Sequence, residues 1–208
     1  MEEQTFDLKA HWDGVYTRMA ADAVSWYRPH LETSLRWIDA MADRKAPIID
    51  VGGGHSRLVD DLIRLGYQDV TVLDVSETAL QRAKERLGDE AKRVQWQAGN
   101  LLTAELPQSR YEVWHDRAVF HFLTNPEDRA AYVHQAERTI RPQGHLILAT
   151  FGPEGPQKCS GLETCRYGPE SLSAVLGPRF QLLDSLIEVH TTPSGKDQQF
   201  LYCHFRFV

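Results

Sequence analysis

The sequence predicts an α/β protein with a seven-stranded, mostly parallel sheet that ends in an antiparallel hairpin. Short apolar runs alternate with helical patterns through the middle of the chain, which indicates a parallel sheet with helices on both faces. The first two runs each end in an acidic residue, Asp50 and Asp74. Near the C-terminus, two strand-like runs flank the turn 193–197, which is short enough only for an antiparallel connection.

Two helices are predicted before the sheet, because apolar residues recur at helical spacing from Leu8 to Met19 and from Leu31 to Met41. The loop between them is aromatic and ends at Pro29. Strands and helices then alternate. The predicted strands are 48–51, 70–73, 94–98, 111–116, 145–151, 180–192 and 199–208.

Helix signals lie between these strands. Gly66 is placed to end the helix that follows the first strand. Ser76 is a suitable N-cap for the next helix. Thr124 or Asn125 is expected to cap a third helix, with Pro126 in its first turn.

Length and composition predict one domain over residues 1–208, with a helical cap at 1–44, a core at 45–151 and a hairpin with its preceding loop at 152–208. The chain is 42% hydrophobic and 25% charged, which is typical of a soluble globular protein. Its net charge of −6 and the lack of a basic run disfavour a nucleic-acid partner. No apolar run is long enough to span a membrane, so a cytoplasmic protein is expected. The cysteines lack metal-ligand spacing, so no metal is expected.

The glycine loop after the first strand predicts a cofactor site. Gly52 and Gly54 match the first two glycines of a dinucleotide fingerprint, but Arg57 stands where the third is expected. This departure argues against a nicotinamide or flavin dinucleotide. Asp50 would repel a pyrophosphate and attract a cation, which favours a cofactor bearing sulfonium and amino groups. No Gly-Lys-Ser/Thr follows the loop, which excludes a P-loop.

The next two strand ends supply further polar groups. Asp74 can accept hydrogen bonds from ribose hydroxyls. The segment 99–101, Gly-Asn-Leu, can present an amide to an adenine edge.

This ordered set of motifs resembles that of the class I S-adenosylmethionine-dependent methyltransferases, which have a Rossmann-like fold. The segment 141–146 is similar to the turn before strand five of that family, and the closing hairpin resembles its antiparallel seventh strand. The resemblance implies S-adenosyl-L-methionine as cofactor. It implies a cofactor-binding set of Asp50, Gly52, Gly53, Gly54, Asp74, Val75, Asn100 and Leu101.

The N-terminal part carries a second, shorter resemblance. His11-Trp12-Asp13-x-x-Tyr16 and Ser25-Trp26-Tyr27 are similar to the corresponding segment of a subgroup that includes elongation-factor lysine methyltransferases. Trp12, Tyr16, Trp26 and Tyr27 are expected to form an aromatic lid, since aromatic faces attract a sulfonium or ammonium. Alternatively, they anchor the N-terminal helices to the core.

The acceptor is expected beside the end of the fourth strand, where ionisable and aromatic residues are dense. Asp116 could orient an amine or water, and His121 could act as a general base. Arg117 could hold a carboxylate of substrate or cofactor, or it could pair with Asp116 or Asp50. His121 could also be a packing residue.

These patterns predict an S-adenosylmethionine-dependent transfer of a methyl group to a small-molecule nitrogen, oxygen or sulfur acceptor. A protein lysine is the alternative acceptor. A thiophilic acceptor such as arsenite, bound by Cys159, Cys165 and Cys203, is disfavoured by their spacing. A non-catalytic cofactor-binding protein on the same fold ranks below these, because the glycine loop is nearly intact. The sequence does not determine the oligomeric state.

Overall fold

The computed structural model describes residues 6–208 and is built around one seven-stranded sheet in the order β3-β2-β1-β4-β5-β9-β8. The first five strands of this sheet pair in parallel, and β9 runs antiparallel to both β5 and β8. The predicted fold is therefore confirmed. The strands are β1 (Ile48–Val51), β2 (Val70–Asp74), β3 (Val94–Ala98), β4 (Tyr111–Arg117), β5 (Ile140–Phe151), β8 (Phe180–Thr191) and β9 (Asp197–Phe207).

The helices cover both faces of the sheet. Successive residues of β1, Ile48 and Ile49, belong to different hydrophobic clusters, because side chains alternate along a strand. The first cluster includes residues of α2, α3 and α4, and the second includes residues of α5 and α6. The helices are α1 (Leu8–Arg18), α2 (Glu32–Met41), α3 (Leu58–Arg64), α4 (Glu77–Leu87), α5 (Pro126–Thr139) and α6 (Pro169–Leu176).

Local signals fix where several helices begin. Ser76 caps α4, since its hydroxyl accepts a hydrogen bond from the Ala79 amide. Asn125, rather than Thr124, caps α5 by accepting from the Asp128 amide, and Pro126 follows in the first turn. The Ser76 cap starts α4 directly after the end of β2, and the Asn125 cap starts α5 after the turn that follows β4.

The segment between β5 and β8 differs most from the prediction. It was expected to be a loop, but it contains a two-residue hairpin, β6 (Lys158–Cys159) with β7 (Leu162–Glu163), and then α6. Two-residue strands are too short to show a period in the sequence. The fifth strand also begins at Ile140 instead of residue 145, with an irregular register against Tyr111 and Val113.

The strand order reverses between β1 and β4, since β2 lies on one side of β1 and β4 on the other. Crevices outside the carboxyl ends of strands form at such a reversal and commonly bind ligands. Within residues 6–208, no helix is both long and apolar enough to cross a membrane.

Candidate functional site

A cavity of about 470 Å³ lies at the carboxyl ends of β1, β2 and β4. Its floor is formed by strand ends and the glycine loop, and α1, the following loop and the β6–β7 hairpin contribute to its walls. Its size is within the usual range for a small-molecule site. Most of the predicted site residues line it: Asp50, Gly52, Asp74, Val75, Asn100, Leu101, Trp12, Tyr16, Trp26, Tyr27 and Arg117.

The glycine loop is closely packed, which explains its composition. Gly52 has a φ of +67°, and a Cβ there would lie 2.0 Å from Cγ2 of Val119. A Cβ on Gly54 would lie 2.6 Å from the Cβ of Ala79. Gly53 and Gly54 are buried and do not line the cavity, so their observed role is to let the loop pass close to α4 and to Asp50.

Asp50 is held by a chain of buried hydrogen bonds. Its Oδ1 lies 2.7 Å from Nδ1 of His115, its register neighbour on β4, and Nε2 of that ring lies 2.8 Å from the Ser34 hydroxyl on α2. Its second oxygen, Oδ2, is buried with no hydrogen-bond partner among the described residues. A buried carboxylate oxygen in that state is suited to accept from a cationic donor.

Asp74 organises the neighbouring strand end. Its Oδ2 accepts from the Gly54 amide at 3.0 Å, and its Oδ1 accepts from the Ser76 amide at 2.8 Å. Each oxygen keeps acceptor capacity for a further donor. Burial raises the pKa of Asp74 to about 6. The two hydrogen bonds favour the charged form and lower the pKa, but their effect is smaller than that of burial.

Aromatic rings form the opposite wall of the cavity. The Trp12 ring lies edge-on to Trp26 and to Phe122, with centroid distances of 5.9 and 5.2 Å. Tyr16 is buried and lies 6.2 Å from Trp26, again edge-on. The rings therefore line the cavity and pack on one another, and their role as a lid stays a prediction.

Helix α1 is fixed to the cofactor side by Asp13. Its Oδ1 accepts from the Ser76 hydroxyl at 2.6 Å and from the Thr78 amide at 3.2 Å. The same Ser76 donates its amide to Asp74. Asp13 thus links the aromatic lid to the carboxylate at the end of β2.

Arg117 lines the cavity and pairs with neither of the carboxylates considered from the sequence. Its Nε donates to the Tyr202 hydroxyl at 2.9 Å, and its Nη1 donates to the Trp26 carbonyl at 2.9 Å. The guanidinium lies over the Phe200 ring at 4.5 Å. These contacts hold it on the β9 side of the sheet.

The predicted catalytic pair, Asp116 and His121, is fully buried and does not line the cavity. Asp116 accepts from the Val119 and Phe120 amides, and burial raises its pKa to about 7. His121 stacks on Phe151 at 4.3 Å, and burial lowers its pKa to about 3. Their catalytic role stays a prediction, and the contacts observed here are those of residues that shape the end of β4.

Other cavity residues were not predicted to belong to this site. His55 and Phe122 follow predicted motifs directly, so their position could have been inferred from their neighbours. Cys159, Leu162 and Glu163 reach the cavity through the β6–β7 hairpin, which had no sequence signal. Among the described residues, no group of three or more His, Cys, Asp or Glu side chains is placed to hold a metal ion.

Comparison with known proteins finds similarity to methyltransferases. The family described as "Methyltransferase domain" matches residues 48–144. "EEF1A lysine methyltransferase 2" of Danio rerio is 25% identical over 193 residues, covering 86% of this chain and 77% of that protein. The "eEF1A lysine and N-terminal methyltransferase" of Bos taurus is 24% identical over 90% of this chain, which spans only 25% of that protein.

A solved structure shares the fold. The 1,6-didemethyltoxoflavin-N1-methyltransferase of Burkholderia thailandensis, solved with its substrate and S-adenosylhomocysteine, has a TM-score of 0.69. It is 21% identical, and the alignment covers 96% of this chain and 84% of that one.

The residues at the ends of β1 and β2 fit the cofactor of these proteins. The unpartnered Oδ2 of Asp50 suits an ammonium group, and Asp74 has acceptor capacity facing the cavity for ribose hydroxyls. Gly99 lines the cavity, with nothing within 4 Å of the place where a Cβ would stand, so the backbone there is open to a ligand. The methyltransferase domain at residues 48–144, the relatives and this fit together indicate a methyltransferase that uses S-adenosylmethionine.

Proposed function

We propose that this methyltransferase acts on a small-molecule acceptor with an apolar, ring-bearing body. The observation that carries the proposal is the shared cavity, in which the cofactor-side carboxylates and the aromatic wall face one space of about 470 Å³. The loop after α1 and the β6–β7 hairpin both contribute to its walls. A cavity bounded from several sides suits a compact molecule better than the surface of a folded protein.

S-adenosylmethionine held by Asp50 and Asp74 would supply an electrophilic methyl group to the acceptor lone pair, and the electron pair of the broken carbon–sulfur bond would stay on S-adenosylhomocysteine. This chemistry asks the protein mainly to position the acceptor and exclude water. Asp50 and Asp74 are proposed to bind the ammonium and the ribose. The predicted contacts of Val75, Asn100 and Leu101 with adenine remain part of this proposal, since all three line the cavity.

The aromatic wall is proposed to orient the acceptor. Trp12, Trp26 and Phe122 meet edge to face, so each ring limits the movement of the next. Rings in such a wall are suited to hold a flat apolar body and to exclude water. Neither Asp116 nor His121 is assigned a contact with the acceptor, because neither lines the cavity.

A protein lysine is the second candidate acceptor. It is favoured by the acidic side chains of Asp128 and Glu163 in the cavity lining, and by the relatives named as lysine methyltransferases. An acidic rim would attract a lysine ammonium before its deprotonation. Both candidates use the same cofactor residues.

The two candidates are separated by where the methyl group goes. Purified protein is incubated with S-adenosylmethionine labelled in its methyl group and with extract divided by size into small molecules and proteins. Label in the small-molecule fraction that is lost in the Asp74→Ala variant supports the proposal. Label in the protein fraction supports lysine transfer, and S-adenosylhomocysteine binding without label in either fraction contradicts both.

A further inference from the structure

We propose that the small-molecule acceptor carries an oxyanion, such as a carboxylate, which the Arg117 guanidinium binds on the β9 side of the cavity. This inference rests on the proposed function and names the chemical class of its substrate. The oxyanion is an anchor on the acceptor molecule and is distinct from the atom that receives the methyl group.

The first observation is the charge balance of the cavity wall. Three arginines line the cavity. Arg28 forms an ion pair with Glu188 at 2.8 Å, and Arg57 forms one with Asp60 at 3.4 Å. Within residues 6–208, no ion pair is found for Arg117. Of the three cavity arginines, Arg117 is therefore the one whose positive charge is not balanced by an ion pair.

The second observation is the hydrogen-bonding state of its guanidinium. Nε and Nη1 each donate to a fixed partner, Tyr202 and the Trp26 carbonyl, whereas Nη2 is buried with no partner among the described residues. An unmet donor on a buried cation is costly, and an oxyanion is the acceptor that the planar guanidinium fork matches best. The fork is already oriented, so little conformational freedom is lost on binding.

Among the described residues no carboxylate forms an ion pair with Arg117, and Glu188, whose charge acts on Tyr202, is itself paired with Arg28. Burial raises the pKa of the Tyr202 hydroxyl, so it stays neutral. Burial and, to a lesser degree, the charge of Arg117 lower the pKa of His121 to about 3, so this ring is also neutral. The Phe200 ring beneath the guanidinium contributes a cation–π contact only.

The position of Arg117 favours the acceptor over the cofactor as the source of the oxyanion. In the sheet, β1 and β2 lie on one side of β4, and β5 and β9 lie on the other. The side chain contacts Tyr202 and Phe200, both on β9, and so extends away from Asp50 and Asp74. Its bond to the Trp26 carbonyl joins it to the aromatic wall. An aromatic or other flat carboxylic acid could contact the Arg117 guanidinium and the aromatic wall at the same time.

The test uses the complete protein, methyl-labelled S-adenosylmethionine and the small-molecule fraction of extract, with products separated by anion and cation exchange at neutral pH. We expect the labelled product to be retained by the anion exchanger and to keep its label when it is treated with base. We expect Arg117→Met to reduce this label about 10- to 100-fold, as for a lost hydrogen bond to a charged group, and Arg117→Lys to reduce it less. Calorimetry should give an affinity for S-adenosylhomocysteine within about twofold of the wild type, since the cofactor contacts are elsewhere.

Arg179→Met is the matched control. Arg179 also lies over a phenylalanine of β9, Phe207, at 4.4 Å, but it does not line the cavity. Loss of Arg179 should leave the amount of labelled product on the anion exchanger unchanged. If Arg117→Met fails to fold, as judged by its thermal unfolding, the comparison of Arg117→Lys with the wild type decides, because Lys keeps the charge and loses the fork.

Several outcomes would overturn the inference. If the labelled small molecule is neutral or is retained by the cation exchanger, and Arg117→Met does not reduce the label, the proposed function stands. The proposal that the acceptor carries an oxyanion is then refuted. A base-labile methyl ester would show that the oxyanion is the acceptor and not an anchor. A tenfold loss of S-adenosylhomocysteine affinity in Arg117→Met would show that Arg117 binds the carboxylate of the cofactor and not an oxyanion of the acceptor. Label confined to protein, or absent from every fraction, would refute the small-molecule function and this inference with it.

Discussion

The two walls of the cavity are built in different ways. The proposed cofactor wall comes from the ends of β1 and β2 and from the segments that directly follow β1, β2 and β3, and its key groups are a glycine backbone and two carboxylates. The proposed acceptor wall collects Trp12 and Trp26 from the N-terminal part, Arg117 from the end of β4, Phe122 from the turn after it and Cys159 from the hairpin. The first wall is polar and held by specific hydrogen bonds such as those of Asp50 with His115 and of Asp74 with the Gly54 amide, whereas the second is held by ring packing.

This difference indicates how the two walls should respond to change. A site made of backbone amides and a buried carboxylate depends on single groups, because each group has specific partners that nothing else replaces. A wall of mutually packed rings shares its energy over many contacts, so one ring is partly replaceable. The predictions below test this contrast.

The largest effect is expected on the cofactor wall from Asp74→Ala. The substitution removes the acceptor for the proposed ribose bonds and leaves the Gly54 and Ser76 amides without it. We expect the affinity for S-adenosylhomocysteine to fall by at least about 100-fold, measured by calorimetry, since two charge-assisted bonds are lost. Asp69→Ala, before the same strand and paired with Arg110, is the control. An unchanged affinity in Asp74→Ala would refute the assignment of this wall.

A smaller effect, on the other wall, is expected from Trp26→Ala. Loss of this ring should raise the KM for the acceptor roughly 10- to 50-fold, because apolar burial and ring contacts are lost. The affinity for S-adenosylhomocysteine should change less than about threefold. Trp96→Ala removes a partly buried tryptophan that does not line the cavity, and it controls for a general loss of stability. Equal losses for acceptor and cofactor in Trp26→Ala would show that the walls are not independent.

The pH dependence of cofactor binding should follow Asp74. Burial raises the pKa of this carboxyl to about 6 in the folded protein. Because charged Asp74 is the better acceptor, affinity for S-adenosylhomocysteine should fall as pH decreases through about 6, by about tenfold between pH 7 and pH 5. Isothermal titrations across this range measure it. The Asp74→Asn variant, which does not titrate, should bind weakly with no such slope, and a slope that persists there would assign the titration elsewhere.

The raised pKa also predicts the direction of a stability change. The folded form holds the Asp74 proton more tightly than the unfolded chain does, so this contribution to the free energy of unfolding is present below about pH 4 and is lost as pH rises through about 6. Cofactor binding and intrinsic stability therefore depend on this carboxyl in opposite senses. Thermal unfolding with and without S-adenosylhomocysteine distinguishes the two.

The smallest effect is expected where the two walls are joined. Asp13→Ala removes the bonds from Ser76 and Thr78 that tie α1 to the start of α4. We expect about a threefold to tenfold loss of S-adenosylhomocysteine affinity and faster amide exchange in α1, since the bonds are only partly shielded from solvent. Asp22→Ala, an exposed carboxylate in the following loop, is the control. Unchanged exchange in α1 would show that ring packing alone holds the lid.

The contrast between the walls also explains where sequence-based prediction succeeded. Asp50 and Asp74 were identified because they lie at the ends of β1 and β2, and Gly52 because it directly follows β1; the ends of neighbouring parallel strands meet at one edge of the sheet. The hairpin that brings Cys159 to the cavity was missed, because its strands are two residues long and carry no period. Ser34, which supports Asp50 through His115, lies on α2 and had no sequence signal at all.

The end of β4 shows the limit most clearly. The sequence marked residues 115–117 and 121 as a group, but side chains alternate along a strand. His115 and Arg117 therefore line the cavity, while Asp116 points to the other face of the sheet and caps the following turn. Which face a residue occupies is set by register against β1 and β5, and register is a property of the assembled sheet.

The order of the seven strands of the main sheet, the antiparallel closure and the placement of Asp50 and Asp74 at strand ends could be predicted from the sequence, because these depend on periodicity and on residues adjacent in the chain. The tertiary structure decided the acceptor wall, the burial of Asp116 and His121, and the unpaired state of Arg117. Those features depend on segments that are far apart in sequence and meet only when the sheet is packed. Spacing along the chain does not determine which of their side chains touch.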